Sequence, residues 1–416
     1  MSKKITFDYW KHLYSNRTEY MFSSEIRDLL SLSARPDIIS FAGGLPEVKA
    51  LSFQKLERYI KRVLKVDGDI SLQYGDSEGY YPLKTKLIEV MKLEGLDVVE
   101  EDIITTTGGQ QALDLLAKVF INPGDVIITE SPAYTGALNS FSSYEAKIIG
   151  IPVDEDGIDT SALEKKLKEL ADKKIKVKFI YLVPNFSNPS GVTLSLQRRK
   201  KVLDLAKKYN TIILEDNPYG MLRYKDKPIP TIKELDSRGD NHNVIYLSTL
   251  SKLFAPGFRI GWIVAPHPIL EKIILGVQST ILCVSTFSQR IAYEYFSDPS
   301  WSENIDEFIK IYSKRRDVML KALEESFPEG SDWSKPKGGF FIWLKLPHYL
   351  NTKEILADAV RNKVAYVPGS GFYADDKGVS EARLAFCTEN TERIEKGIKI
   401  LSRIIKEKIK LYKSFE

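Results

Sequence analysis

The chain of 416 residues is 43% hydrophobic and 28% charged, with 60 Lys+Arg against 56 Asp+Glu and a formal net charge of +4. That balance excludes disordered, collagen-like, fibrous and disulfide-framework proteins, and so small a positive excess does not argue for a nucleic-acid stripe. Hydrophobic cores usually stop growing near ~250–300 residues, so two domains are expected.

Cys283 and Cys387 have apolar neighbours and no metal-ligand spacing, and read as small buried hydrophobes in a reducing compartment. His12, His242, His267 and His348 are scattered, with no H-x-x-x-H or C-x-x-C pair, so no metal site is expected. The N-terminus is positively charged but lacks an apolar core, and no run approaches the ~18 apolar residues of a membrane span. A cytoplasmic protein without membrane or nucleic-acid partners is expected.

In chain order, the first fifty residues carry an expected helix at 24–32 and the loop Phe41-Ala42-Gly43-Gly44-Leu45-Pro46. Residues 125–129, 177–183, 211–214 and 243–247 are short, nearly continuous apolar runs, the pattern of strands buried on both faces of a parallel sheet. Helical stretches at 110–120, 161–170 and 194–208 lie between them, which is the α/β pattern with helices on both sheet faces.

From about residue 300 the period changes. Ile305, Phe308, Ile309, Tyr312, Met319, Leu323 and Phe327 recur on one face of a long amphipathic helix, which Pro328 and Gly330 end. A strand at 338–343, a short helix at 352–361 and a closing helix after Thr391 follow. The expected organisation is an arm (1–50) lying against a small C-terminal α+β domain (300–416), with a large domain (51–299) between them.

Four segments carry candidate chemistry. In Tyr246-Leu-Ser-Thr249-Leu-Ser251-Lys252 through Arg259, a strand runs into a hydroxyl-rich turn with a lysine at its end. That lysine is able to form a Schiff base, while Thr249, Ser251 and Arg259 suit a phosphate; a solvated loop is the plain alternative. Asp216 ends an expected strand, where α/β sheets bind ligands, and an acid there would keep a pyridine nitrogen protonated. Asn188, in Asn188-Pro-Ser-Gly191, and Tyr219 suit a ring's phenolate oxygen, although the same four residues also suit an ordinary turn.

Thr106-Thr107-Gly108-Gly109-Gln110 precedes an expected helix, so its glycines let the backbone approach an anion at a helix N-terminus. No G-x-G-x-x-G or Walker lysine accompanies it. Tyr134 follows the next expected strand and is able to stack on a planar ring, or simply to fill core.

On these motifs the chain resembles a class I/II aminotransferase of the fold type I enzymes that use pyridoxal 5'-phosphate. More narrowly, it is similar to the 2-aminoadipate, kynurenine and archaeal aromatic or multi-substrate aminotransferases, from about residue 24 to 390. The S-x-S-K-x-x-x-P-G-x-R pattern has Thr249 for its first Ser, and N-P-T-G has Ser190 for Thr. The resemblance implies a large domain with a mostly parallel seven-stranded sheet between helices, plus the smaller α+β domain.

It also implies residue roles. Lys252 is the Schiff-base lysine, Asp216 the pyridine-nitrogen partner, and Asn188 and Tyr219 the phenolate contacts. Tyr134 stacks on the ring, and Gly109, Gln110, Thr249, Ser251 and Arg259 hold the phosphate. Tyr74 would reach the phosphate of a neighbouring subunit, which implies a homodimer with shared active sites.

Arg383 matches the arginine that grips the substrate α-carboxylate, with Asn188 and the loop at Gly44 beside it; a guanidinium fork suits that task because it binds a carboxylate bidentately. Arg27 matches an arginine that meets the distal carboxylate in 2-aminoadipate enzymes; a solvated helix charge is the alternative. After Pro46 the chain departs from its relatives, with Glu47-Val48-Lys49-Ala50-Leu51 where Asn-Pro and a Phe-Pro pair are usual.

The implied activity is ping-pong transamination from an L-amino acid (2-aminoadipate, an aromatic or another broad-range donor) to a 2-oxo acid, with 2-oxoglutarate the expected acceptor. Two rivals share the cofactor contacts: a C–S lyase, and a regulatory domain of the kind that follows a winged helix, for which the first few dozen residues leave no room.

Overall fold

A computed structural model describes residues 8–21, 35–237, 242–375 and 377–414. The expected helix at 24–32, with Arg27, lies outside the described residues.

The first strand, β1 (Ile39–Ser40), belongs to the arm. A large sheet follows, built from β2 (Ile103–Thr106), β3 (Val126–Ser131), β4 (Lys147–Asp154), β5 (Gly157–Ile158), β6 (Val177–Leu182), β7 (Ile212–Asp216), β8 (Val244–Thr249) and β9 (Gly261–Val264). Its order is β2-β9-β8-β7-β6-β3-β4-β5. The run from β8 to β4 is parallel, while β9 is antiparallel to both its neighbours and β5 is antiparallel to β4.

The sheet therefore has eight strands rather than the expected seven. The extra one is the two-residue β5, which folds back on β4 through Val153–Ile158 pairing. The sheet is otherwise mostly parallel, as expected.

Burial explains the apolar runs. In β6, Phe179 and Tyr181 enter one core while Ile180 and Leu182 enter the other; in β7, Leu214 and Ile213 divide in the same way. Successive side chains point to opposite faces, and helices cover both. Gly108–Phe120 supplies Leu113 and Leu116 to one core, while Thr160–Asp172 and Leu196–Lys208 supply Leu163, Leu167, Val202 and Leu205 to the other.

The C-terminal part holds a four-stranded antiparallel sheet in the order β10-β11-β14-β13. Its strands are β10 (Asp332–Trp333), β11 (Phe341–Lys345), β13 (Val367–Pro368) and β14 (Glu381–Ala385), while β12 (Val364–Ala365) pairs in parallel with β1 of the arm. The expected strand at 338–343 starts later because Gly339 adopts φ +70°, a left-handed turn.

The long helix is Trp301–Ser326 and packs on the closing helix Thr391–Lys413. Asn351 and Asn390 cap the two helices that follow them by accepting main-chain N–H bonds. Cys387 is buried, as expected, but Cys283 is only partly so: its sulfur accepts from the Gly75 N–H. Among the described residues, no helix is long and apolar enough to cross a membrane, and no cluster of His, Cys, Asp and Glu is placed to hold a metal.

Candidate active site

The carboxyl ends of five strands open onto one edge of the large sheet. Thr107–Gly109 follow β2, Tyr134 follows β3, Asn188 follows β6, Asp216 ends β7, and Thr249 ends β8 with Lys252 just beyond. Because β9 is antiparallel, its first residues return to the same edge and bring Arg259 with them. Ligands bind at such an edge because divergent loops leave a crevice there.

The crevice is a cavity of about 650 Å³. Gly44, Gly109, Gln110, Tyr134, Asn188, Asp216, Tyr219, Thr249, Ser251, Lys252, Arg259 and Arg383 all line it. Of the sequence-derived site residues, two are not in that set. Tyr74 is 75% exposed, in the loop after helix Phe53–Ser71 and away from its own chain's cavity. Arg27 lies outside the described residues.

At one end, Arg259 has a left-handed backbone (φ 54°), and its Nη2 donates to the Thr107 carbonyl at 3.4 Å. Gly108 makes that approach possible: at φ +76° it sits so close that a Cβ would fall 2.6 Å from Arg259 Nη2. Opposite, the Thr249 and Ser251 hydroxyls are 2.9 Å apart, with Thr249 Oγ1 donating to the Ile260 carbonyl at 3.0 Å. The first turn of helix Gly108–Phe120 thus ends in a cradle of N–H groups, hydroxyls and a guanidinium, a site for a phosphate.

Deeper in, Asp216 is buried, and the Tyr181 hydroxyl donates to its Oδ2 at 2.8 Å. Burial pushes the carboxyl up to about 7, and the tyrosine's hydrogen bond opposes that rise. A cationic ring nitrogen is the partner that would keep this acid ionised. Tyr134 donates to Gln110 Oε1 at 3.2 Å, and Gln110 Nε2 donates to the Gly136 carbonyl and Ser140 Oγ, so ring and helix turn are locked together.

Lys252 Nζ donates to the Gly44 carbonyl at 2.9 Å and lies 5.3 Å from the Phe340 ring centroid. Burial pulls its ammonium down to about 8, so a reactive neutral amine is accessible near physiological pH. Arg383, on β14, is buried: Nη1 donates to Asn188 Oδ1 at 2.8 Å and Nη2 to the Ala42 carbonyl at 2.6 Å. The guanidinium lies 4.3 Å from the Phe341 ring centroid, and its Nε is buried without a hydrogen-bond partner among the described residues.

Sequence reasoning did not single out Tyr181, Glu130, Phe341 or the Ala42 carbonyl. Glu130 is a buried acid pushed by burial up to about 8; it accepts from the Val183 N–H at 2.9 Å and the Ser187 hydroxyl at 3.5 Å, steadying the approach to Asn188. Its place immediately after an apolar strand run was a signal of the same kind as that for Asp216.

A lysine, a buried acid and an anion cradle on this edge are the parts a pyridoxal phosphate site requires. The unpartnered Arg383 Nε and the raised Asp216 each await an oppositely charged group, so the residues present fit the cofactor and a carboxylate substrate.

A family model for aminotransferase class I and II matches residues 36–401, and the chain belongs to that family. It is a transaminase dependent on pyridoxal phosphate, with the fold type I architecture.

Aromatic-amino-acid aminotransferase 1 of Thermococcus litoralis is 45% identical over 97% of this chain and 96% of its own. The 2-aminoadipate transaminase of Thermus thermophilus is 33% identical over 95% and 97%. A crystal structure of Pyrococcus horikoshii kynurenine aminotransferase in complex with PMP is 43% identical and superposes with a TM-score of 0.91, covering 96% of this chain and 98% of that one.

Proposed function

We propose that this aminotransferase takes aromatic L-amino acids as preferred donors and 2-oxoglutarate as acceptor, in a cytoplasmic homodimer. The carrying observation is the wall beside Arg383, where Phe341, Leu45 and Tyr219 line the cavity. Among the described lining residues the arginines are Arg259, in the anion cradle, and Arg383. An apolar or aromatic side chain suits that wall, whereas a second carboxylate, as in 2-oxoglutarate or 2-aminoadipate, calls for a further cation, the role this reading gives to Arg27. Two of the three relatives, named for aromatic amino acids and for kynurenine, favour the same donor range, while the third is named for 2-aminoadipate. The division into an arm (1–50), large domain (51–299) and small domain (300–416) is part of this proposal.

Bound pyridoxal phosphate supplies an aldehyde that takes up the amino group and a ring that accepts electrons. Gly109, Gln110, Thr249, Ser251 and Arg259 hold its phosphate, with Tyr74 reaching the phosphate of the neighbouring subunit. Tyr134 would stack on the ring, Asn188 and Tyr219 would contact the phenolate oxygen, and Asp216 would keep the ring nitrogen protonated. Arg383 binds the substrate α-carboxylate bidentately and so fixes the direction of the Cα–H bond. Lys252, neutral above its lowered pKa, would take the proton from the substrate Cα at its Nζ and so act as the proton carrier.

A donor and acceptor screen with purified holoenzyme tests this reading. Phenylalanine, tyrosine or kynurenine should give kcat/KM at least about tenfold above alanine, and Arg27→Ala should weaken 2-aminoadipate far more than phenylalanine. Equal use of all donors, or release of ammonia and pyruvate in place of a 2-oxo acid, would overturn it.

A further inference from the structure

Segment 42–47 passes along the cavity, where Gly44 and Leu45 form part of the wall. Its first three carbonyls are each engaged by a side chain from elsewhere in the fold. Ala42 accepts from Arg383 at 2.6 Å, Gly43 from Thr388 Oγ1 at 3.0 Å, and Gly44 from Lys252 at 2.9 Å. Two of those donors are the groups that grip the substrate and move its proton. Glycine loses the most conformational freedom on ordering, so a stretch with consecutive glycines also depends on its flanks. On one side Phe41 is fixed by main-chain bonds, its N–H donating to the Ala365 carbonyl at 2.7 Å and its carbonyl accepting from Ala385 at 2.8 Å.

On the other side stands Glu47. Its N–H donates to the Tyr312 hydroxyl at 2.7 Å, and its Oε2 receives Arg315 Nη2 at 2.6 Å. Tyr312 and Arg315 are three residues apart on the long helix, hence on one face. Arg315 also donates through Nη1 to the Cys387 carbonyl, next to Thr388, so the same guanidinium ties both ends of the Gly43 contact. The two side chains are only 12% and 20% exposed, which lifts the pair out of the weak class of surface ion pairs.

We propose that Glu47 and Arg315 are positioning residues: their ion pair pins segment 42–47 to the long helix. The pinned Ala42 carbonyl then fixes the plane of Arg383 and sets the grip on the substrate α-carboxylate. The inference rests on the aminotransferase reading, in which Arg383 receives that carboxylate. Freed from Ala42, the Arg383 fork keeps its charge but loses its orientation, and bidentate binding weakens. The cradle and Asp216 belong to the opposite wall and carry no contact from Glu47; Lys252 meets the segment only through its Nζ at the Gly44 carbonyl and is placed by its own loop after β8, so binding suffers more than chemistry on bound substrate.

The test uses holoenzyme with Glu47→Gln. Its readouts are the dissociation constant of 3-phenylpropionate, a carboxylate with no amino group to transfer, and the steady-state constants for phenylalanine. Both the dissociation constant and KM should rise roughly tenfold, with kcat within about twofold of the unsubstituted enzyme. Glu47→Gln added to Arg315→Met should cost little more than Arg315→Met alone, the non-additivity of a pair that acts as one unit, which a mere space-filling role would not produce.

If Glu47→Gln does not fold, Glu47→Asp should show the same split at smaller size. Unchanged 3-phenylpropionate binding in a folded variant, or a fall in kcat at constant KM, overturns the proposal. If the unsubstituted protein binds neither the cofactor nor 3-phenylpropionate, the aminotransferase reading itself fails; if it binds both and the Gln variant matches it, only the pin fails.

Discussion

The two walls of the cavity are built on different principles. The wall at the sheet edge is assembled at strand ends: Asp216 and Thr249 close their strands, Asn188 and Lys252 stand in the loops that follow theirs, and Gly109 stands in the first turn of the helix after β2. The facing wall is assembled from distant pieces. Arg383 comes from the small sheet, its Ala42 anchor from the arm 341 residues earlier, and the pin on that anchor from the long helix. The first wall is rigid because the sheet itself spaces its members. The second is held by side-chain contacts between elements that meet only after folding, and it is the wall where a substrate must enter and leave.

Breaking the sheet-edge wall should have the largest effect. In the proposed mechanism Lys252→Ala would remove both the covalent anchor and the proton carrier, so transamination should fall by roughly 10⁴-fold, and the visible band of the lysine–cofactor linkage should vanish. A reducible linkage persisting in that variant would assign the nucleophile elsewhere.

On the facing wall, Arg383→Gln should lower kcat/KM by roughly 10²–10³-fold, the cost of removing one partner from a buried charge pair, while absorbance shows cofactor occupancy retained. Loss of cofactor along with substrate binding would mean that the two walls are not separable.

The smallest effect is one of pH. Burial lowers the Lys252 ammonium to about 8, so the amine is charged and unreactive below that value and neutral above it. Cofactor uptake by the cofactor-free protein, followed by absorbance, should therefore rise with pH through a midpoint near 8. The neighbouring Arg383 charge contributes to the lowering, so in Arg383→Gln the midpoint should move upward. A midpoint near the ordinary lysine value in the unsubstituted protein would contradict the burial account.

The sheet-edge wall was the more legible of the two, for the same structural reason. Apolar runs at β3, β6, β7 and β8 announce buried parallel strands, and a polar residue directly after such a run stands at the ligand edge. The four-residue strands β2 and β9 were not singled out: they are too short for a period, and β9 opens on a glycine. Neither was β4, whose residues alternate irregularly between exposed and half-buried at the margin of the sheet.

On the facing wall, the resemblance supplied Arg383, but nothing local announces the Ala42 carbonyl or Arg315. Glu47 was visible only as a departure from a pattern. Its partner is 268 residues away, and no spacing encodes a contact of that range.

The antiparallel course of β9 has one more consequence. Lys252 and Arg259 are the two ends of a single short excursion from the sheet, closed at its base by the Thr249–Gly261 pairing and by the Leu250 N–H donating to Ile260. That excursion acts as a molecular gauge between the atom that reacts and the cradle that holds the anion. Removing one residue would shorten it by as much as ~3.5 Å, more than a hydrogen bond can absorb. Its composition is freer than its length: a side chain at Gly257 would meet nothing within 4 Å. Over evolutionary time this stretch should tolerate exchanges at its tip while rejecting insertions and deletions.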